Sequence, residues 1–165
     1  MTEAMISESV EDYLEAIFQI NQQQQVSRPK DICKMLNVTA PSVTKALKLL
    51  AQLGFVNYAP FGMVTLTPAG EKAAKDVVHR HEGLSSFLVN VLGVDEKRAS
   101  ETACKMEHII APDIIERFIS YSKFVQNSDL CGPEFFKKFL KFASRKNAST
   151  KSTKSKSSKS SRKEQ

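Results

Sequence analysis

The stretch Arg28–Gly54, RPKDICKMLNVTAPSVTKALKLLAQLG, decides the fold of the first part of this chain. Apolar residues recur at helical spacing on both sides of Asn37-Val38-Thr39, which predicts two helices joined by a short turn. Pro41 suits the first turn of the second helix, where an N–H group would have no partner, and Gly54 suits its end. The side chains that we expect to face the core are Ile32, Met35, Leu36, Val43, Ala46, Leu47, Leu50 and Leu53.

Two short runs, Phe55–Tyr58 and Met63–Leu66, follow these helices on either side of a turn around Pro60-Phe61-Gly62. Short runs around a glycine-containing turn predict a β-hairpin. Two helices with a short turn, followed by a hairpin, form the winged helix-turn-helix of DNA-binding proteins. Together with an amphipathic helix from Ser7, this pattern predicts a winged helix-turn-helix domain over residues 1–70.

The charge of the chain is unevenly distributed. The 165 residues carry a formal net charge of +6, but residues 142–165 hold eight basic residues against one acidic residue. The remainder has 16 basic and 17 acidic residues, so a basic surface on it must be local. The Ser/Lys-rich segment 142–165 cannot bury apolar surface, and we expect a disordered tail that adds non-specific attraction to phosphates.

A local basic surface is predicted on the second helix of the helix-turn-helix. Lys45 and Lys48 lie one turn apart, opposite its apolar stripe, and can reach phosphates or guanine edges. Hydroxyl side chains cluster at the N-terminal end of this helix, which is the end that normally enters the major groove. The candidate DNA-binding residues are Arg28, Thr39, Pro41, Ser42, Thr44, Lys45 and Lys48.

Helical patterns continue after the hairpin. One begins at Thr67-Pro68 and runs towards Val91, a second follows Asp95 as its cap, and a third runs from Pro112-Asp113 to about Phe124. A short aromatic helix is expected from Pro133. The chain is therefore predicted to be mainly α, with a helical domain over residues 71–141.

The helix that follows Asp95 contains Cys104-Lys105-Met106-Glu107-His108. Cys104, Glu107 and His108 stand at i, i+3 and i+4, so a helix would project a thiol, a carboxylate and an imidazole from one face. These groups form part of a coordination shell for a divalent transition metal. Asp12, Glu15 and His81 are candidates for completing it.

Other classes of protein fit the sequence less well. No apolar run approaches membrane-spanning length, and three cysteines cannot all pair internally, so we expect a cytoplasmic protein with free thiols. An enzyme with Cys104 as nucleophile and His108 as base would need an orienting residue and an oxyanion site that no motif supplies. A thiol-based redox regulator and a winged-helix regulator of organic ligands remain as alternatives.

Five segments carry a resemblance to a known family. They are Glu11–Glu15, Pro41–Lys45, Leu66–Gly70, Arg80–Glu82 and Gly93–Asp95. In unbroken order from about Ser7 to Phe124, the chain resembles the diphtheria-toxin-repressor family of metal-dependent transcriptional regulators, which includes iron-dependent repressors and the manganese transport regulator. The resemblance implies a homodimer with an N-terminal winged helix and a helical dimerisation and metal-binding domain.

The resemblance also implies a set of metal ligands of mixed type. These ligands are Asp12, Glu15, His81, Cys104, Glu107 and His108. Asp12 and Glu15 resemble the manganese-type arrangement, whereas Cys104 resembles the iron type. Ser85 and Ser100 stand where iron-type members place a Glu and a His of their second site, so the resemblance does not support that second site here. The expected centre therefore holds one ion per subunit, or two ions in the arrangement of the manganese regulators.

The resemblance implies that the protein represses metal-uptake genes by binding double-stranded operator DNA when it is loaded with metal. A thiolate ligand favours Fe(II), Co(II), Ni(II) or Zn(II) over Mn(II). Within the family, Fe(II) is the nutrient most often sensed among these. We therefore predict Fe(II) as the cofactor, with Mn(II) as the alternative.

Overall fold

The computed structural model describes residues 7–24, 26–59, 62–127, 132 and 134–143. The described elements are mainly helical, as predicted. They are α1 (Glu8–Gln24), α2 (Pro29–Leu36), α3 (Ala40–Gln52), β1 (Val56–Tyr58), β2 (Val64–Leu66), α4 (Pro68–Asn90), α5 (Glu96–Glu107), α6 (Pro112–Asn127) and α7 (134–143).

The predicted winged helix-turn-helix is confirmed. Asn37 ends α2 in the left-handed conformation, with φ of 53°, and Thr39 precedes α3 in an extended conformation. The antiparallel hairpin pairs Val56 with Leu66 and Tyr58 with Val64. The predicted tip of the wing, Pro60 and Phe61, lies outside the described residues.

A first apolar core joins α1, α2, α3 and the hairpin. Its fully buried side chains include Leu14 and Ile17 of α1, Ile32 of α2, and Leu47 and Leu50 of α3. These residues recur at helical spacing in the sequence, and burying each of them stabilises the fold by about 1.5–3 kcal/mol. The first core therefore fixes α1 against the helix-turn-helix.

Two residues predicted to face this core do not. Met35 and Leu53 are 42% and 47% exposed, so both predictions were wrong. Met35 lies at the edge of the short α2, and Leu53 is the C-cap residue of α3, beyond the last full turn. Apolar character at a helix end does not by itself place a side chain in the core.

Helix α4 is shared by two cores. Ala74, near its start, packs in the first core, whereas Leu84 and Leu88 pack in a second core with Ala103 of α5 and Ile115 of α6. A single continuous helix thus connects the hairpin to the C-terminal helices. The division into domains at residues 70 and 71 stays a prediction.

The C-terminal elements differ slightly from those predicted. Helix α6 runs to Asn127, past the predicted end near Phe124. Helix α7 includes residues 142 and 143, which we had assigned to the tail; Phe135, Phe139 and Phe142 continue a helical spacing there. Residues 144–165, predicted to be disordered, and Pro133 lie outside the described residues.

Within the described part of the chain, every helix is too short or too polar to cross a membrane.

The junction between hairpin and α4 depends on a close approach of two backbones. Thr67 caps α4: its hydroxyl accepts a hydrogen bond from Gly70 N–H at 3.1 Å and donates one to the Gly54 carbonyl at 2.7 Å. Thr67 N–H also donates to the Phe55 carbonyl at 2.9 Å. A Cβ atom at Gly70 would overlap that same carbonyl oxygen.

We predict that Gly70→Ala destabilises the protein by about 1–3 kcal/mol, because the added methyl group meets backbone atoms that cannot rotate away. Urea unfolding followed by circular dichroism measures the effect. Lys72→Ala, an exposed position on the same helix, is the control and should leave the midpoint nearly unchanged. Equal midpoints for the two variants would contradict the proposed packing.

Candidate metal centre

The acidic residues of α1 form a stripe that faces the C-terminal helices. Glu8, Glu11, Asp12 and Glu15 follow one another at spacings of three, one and three residues, so they share one side of the helix. The opposite side carries Leu14 and Ile17, which are buried in the first core. The amphipathic pattern of α1 thus turns its carboxylates towards α4 and α5.

A first cluster of ligand-type groups contains Asp12, Cys104 and His108. One potential ligand atom from each lies within 4.8 Å of the others. His108, the C-cap residue of α5, approaches Asp12 through Nε2, which lies 3.2 Å from Asp12 Oδ1. Helix α5 therefore brings its thiol and imidazole to the carboxylate of α1, as the i, i+4 spacing predicts.

A second cluster contains Glu15, His81 and Glu107, again with potential ligand atoms within 4.8 Å of one another. His81 projects from the middle of α4, and its Nδ1 lies 2.8 Å from Glu107 Oε2. Its other ring nitrogen, Nε2, lies 3.3 Å from the Ser100 hydroxyl. The structure thus brings all six predicted ligands together, in two adjacent groups of three.

Glu107 lies between the two clusters. Its side chain is fully buried, and its second oxygen, Oε1, faces His108 Nε2 at 3.5 Å, which is too long for a good hydrogen bond. Among the described residues, Oε1 has no hydrogen-bond partner. A buried carboxylate oxygen without a partner costs several kcal/mol unless a cation or a donor satisfies it.

Three acidic groups of the clusters, Asp12, Glu15 and Cys104, have raised pKa values and hold their protons more tightly than they would in water. Burial raises the pKa of Asp12 despite the opposing charge of His108. Burial and the nearby Glu107 carboxylate raise the pKa of Glu15 and of the Cys104 thiol. Burial therefore works against the negative charge that these three groups would carry when ionised.

The two histidines balance part of this charge. The hydrogen bond to Glu107 raises the pKa of His81. Burial opposes the charged form of His108, but the hydrogen bond to Glu11 and the nearby Glu107 and Asp12 carboxylates raise its pKa overall. The carboxylates thus favour the protonated imidazoles when no other cation is close.

These residues fit a divalent metal ion. Ligand bonds of about 2.0–2.3 Å allow opposite ligands of one ion to lie up to about 4.6 Å apart, and the potential ligand atoms of each cluster all lie within 4.8 Å of one another. Carboxylate, imidazole and thiolate are the groups that bind first-row transition metals. Glu107 Oε1, which has no hydrogen-bond partner among the described residues, is one more atom that a cation would satisfy.

Sequence reasoning missed two residues of the site, Glu11 and Arg80. Glu11 Oε2 lies 2.7 Å from His108 Nδ1, and Glu11 Oε1 accepts a hydrogen bond from Arg80 Nη2 at 2.7 Å. Glu11 shares the acidic face of α1 with Asp12 and Glu15, which is the signal that could have drawn attention to it. Arg80 precedes His81 but offered no signal of its own beyond the family resemblance.

The predicted DNA-binding residues lie at the start of α2 and along α3. Six of the seven are exposed, and Thr44 is half-buried. The hydroxyls of Thr39 and Ser42 lie 3.0 Å apart, whereas Thr44 donates to the Ala40 carbonyl at 2.9 Å. The Thr44 hydroxyl therefore has an intrahelical partner already, while the remaining side chains are accessible on the surface of α2 and α3.

We predict that divalent cations stabilise the protein and that Glu107→Ala removes most of this effect, because Glu107 faces both clusters. At a free cation concentration about 100 times Kd, the expected stabilisation is about 2.7 kcal/mol. Thermal unfolding with Mn(II), or with Fe(II) without oxygen, measures it. Glu116→Ala is the control, since Glu116 pairs with His79 at an exposed site, 2.8 Å away. Equal stabilisation of both variants would rule out Glu107 as a ligand.

Comparison with known proteins identifies the family of both halves. Residues 5–64 match the iron dependent repressor N-terminal DNA binding domain, and residues 67–136 match the iron dependent repressor metal binding and dimerisation domain. An uncharacterized HTH-type transcriptional regulator of Methanocaldococcus jannaschii is 42% identical over 113 residues, which cover 68% of this chain and 90% of that protein.

Two further proteins extend the comparison. The transcriptional regulator MntR of Salmonella typhimurium is 36% identical over 121 residues, 73% of this chain and 76% of that protein. A solved structure, a manganese-dependent transcriptional repressor in complex with manganese, aligns with a TM-score of 0.63 at 30% identity, over 70% of this chain and 53% of that one. The chain thus spans about half of that structure, and it belongs to the iron-dependent repressor family of metal-dependent transcriptional regulators.

Proposed function

We propose that this protein is a metal-dependent repressor that binds operator DNA as a homodimer when Asp12, Glu15, His81, Cys104, Glu107 and His108 hold a divalent cation. The observation that supports this most directly is the meeting of α1 with α4 and α5 at two clusters around the buried Glu107 carboxylate, one oxygen of which has no hydrogen-bond partner among the described residues. The regulator acts in the cytoplasm, where its DNA lies, and it is not an enzyme. This proposal combines the geometry with the family to which the chain belongs.

The coupling between metal and DNA runs through α1. This helix contributes Asp12 and Glu15 to the clusters on one face, and packs Leu14 and Ile17 against the helix-turn-helix on the other. A bound cation would supply the positive charge that the converging carboxylates lack. The side chains of α1 would then hold α3 in one orientation relative to α4 and α5. The cation favours this conformation over others to the extent that it binds this conformation more tightly.

An exposed apolar face on α6 supports a homodimer. Ile114, Tyr121 and Phe124 are 41%, 53% and 62% exposed, and their spacing places them along one side of the helix. A patch of large apolar side chains of this kind marks an interaction surface. Two subunits joined here would present two α3 helices, which suits a palindromic operator whose half-sites lie about 34–36 Å apart.

We propose Fe(II) as the cofactor because Cys104 belongs to the first cluster and a thiolate disfavours Mn(II). Mn(II) is the second candidate. It is favoured by the second cluster, whose three residues offer only oxygen and nitrogen, and by the structural likeness to a manganese-dependent repressor. The residue that separates the two candidates is Cys104.

We predict that Fe(II), under anaerobic conditions, strengthens binding to DNA selected from a random pool by about 5–150-fold, the range of typical allosteric couplings. Mn(II) should be weaker for the wild type, and Cys104→Glu should reverse this order by replacing sulfur with oxygen. Fluorescence anisotropy measures the affinities, with Cys33→Ser as the control at a cysteine outside both clusters. Equal affinities of the wild type with metal and with chelator would refute the proposed function.

We predict that Lys45→Ala weakens binding and flattens its salt dependence, because one phosphate contact on α3 is lost. The slope of log K against log salt concentration should fall in magnitude by about 0.9. The slope is measured on metal-loaded protein between low and physiological salt. Lys72→Ala, exposed on α4, is the matched control, and an unchanged slope for Lys45→Ala would remove α3 from the DNA contact.

A further inference from the structure

The two ring nitrogens of His108 face different carboxylates. Nδ1 lies 2.7 Å from Glu11 Oε2, whereas Nε2 lies 3.2 Å from Asp12 Oδ1 and 3.5 Å from Glu107 Oε1. The side chain of His108 is only 3% exposed, so water does not compete strongly for either nitrogen. Of these three carboxylates, Asp12 and Glu107 belong to the clusters of potential metal ligands, and Glu11 does not.

Glu11 is itself held in place. Its other oxygen, Oε1, accepts a charge-assisted hydrogen bond from Arg80 Nη2 at 2.7 Å, and both side chains are less than one fifth exposed. With Oε1 facing Arg80 and Oε2 facing His108, Glu11 has both oxygens engaged. The arrangement links α4, α1 and the end of α5 through side chains alone.

We infer that Glu11, anchored by Arg80, is a positioning residue that turns Nε2 of His108 towards the first cluster. A carboxylate can only accept, so Glu11 keeps the proton of the neutral ring on Nδ1 and leaves the lone pair of Nε2 for the metal. A carboxylate on the far nitrogen also increases the ligand strength of the imidazole. This inference rests on the proposed metal site.

The role of Glu11 differs from that of a general negative charge. Glu8 lies one turn earlier on the same face of α1 and is exposed. Changing Glu8 to Gln removes the same charge as changing Glu11 to Gln. Glu8→Gln therefore measures what loss of charge alone does to cation affinity. A positioning role predicts that Glu11→Gln has a larger effect and that the effect requires His108.

Binding of Co(II) to the metal-free protein tests the inference, with thiolate-to-cobalt absorption reporting ligation by Cys104. Loss of a carboxylate behind a ligand histidine typically lowers metal affinity about 10–100-fold, and we expect this for Glu11→Gln, with Glu8→Gln close to the wild type. Glu11→Asp keeps the charge but shortens the side chain, so it should weaken binding in the same direction. Urea unfolding of each metal-free variant verifies that it is folded.

A double-mutant cycle with His108→Ala separates positioning from charge. If Glu11 acts through His108, Glu11→Gln has no further effect on Co(II) affinity in the His108→Ala background. The same fold-loss in both backgrounds, or equal losses for Glu11→Gln and Glu8→Gln, would overturn the inference while leaving the metal site intact. Wild-type protein that binds no Co(II) at Cys104 would refute the metal site, and the inference with it.

Discussion

The buried carboxylate of Glu107 is the constraint on which this structure depends. An ionised carboxylate without water costs several kcal/mol unless charge or hydrogen bonds compensate it. His81 compensates one oxygen from α4, and the other oxygen faces His108 and has no hydrogen-bond partner among the described residues. Because α1 brings two more carboxylates to the same place, the three helices converge on a point that requires positive charge.

This constraint reaches the DNA-binding surface through two rigid connections. Helix α1 places Asp12 and Glu15 on one face and core residues of the winged helix on the other. Helix α4 begins at the hairpin, where Gly70 allows contact with the backbone of Phe55, and continues to His81. A change at the metal centre therefore acts on elements that are packed against α3, and no flexible linker intervenes among the described residues between the hairpin and His81. A cation at the proposed metal centre would act on the positions of both α1 and α4. Coupling between a metal site and a DNA-binding surface requires such shared elements.

Local signals in the sequence predicted the fold and singled out three of the proposed ligands, whereas the ligand roles of Asp12, Glu15 and His81 were implied by the family resemblance. The turn after Asn37, the caps at Thr67 and Asp95, and the i, i+3, i+4 spacing of Cys104, Glu107 and His108 act over a few residues, so they can be recognised without a structure. Contacts between residues far apart in the sequence give no local signal of this kind. Glu11 contacts Arg80 69 positions later and His108 97 positions later, and no spacing rule in the sequence connects residues that far apart. The exposure of Met35 and Leu53 was missed for a similar reason, since tertiary packing, not periodicity, decides the edge of an apolar stripe.

The metal preference that we propose depends on the two clusters together. The first includes the sulfur of Cys104, which favours softer ions, whereas Glu15, His81 and Glu107 offer only harder atoms. The two oxygens of Glu107 face one histidine from each cluster, so a cation at either cluster draws on the same negative charge. In the proposed centre the cation affinities of the two clusters therefore cannot change independently, because a cation bound at one cluster neutralises Glu107 charge that would otherwise attract a cation to the other. Substituting Cys104 would change the affinity of the second cluster as well as the first, and selectivity belongs to the shared carboxylate as much as to the thiol.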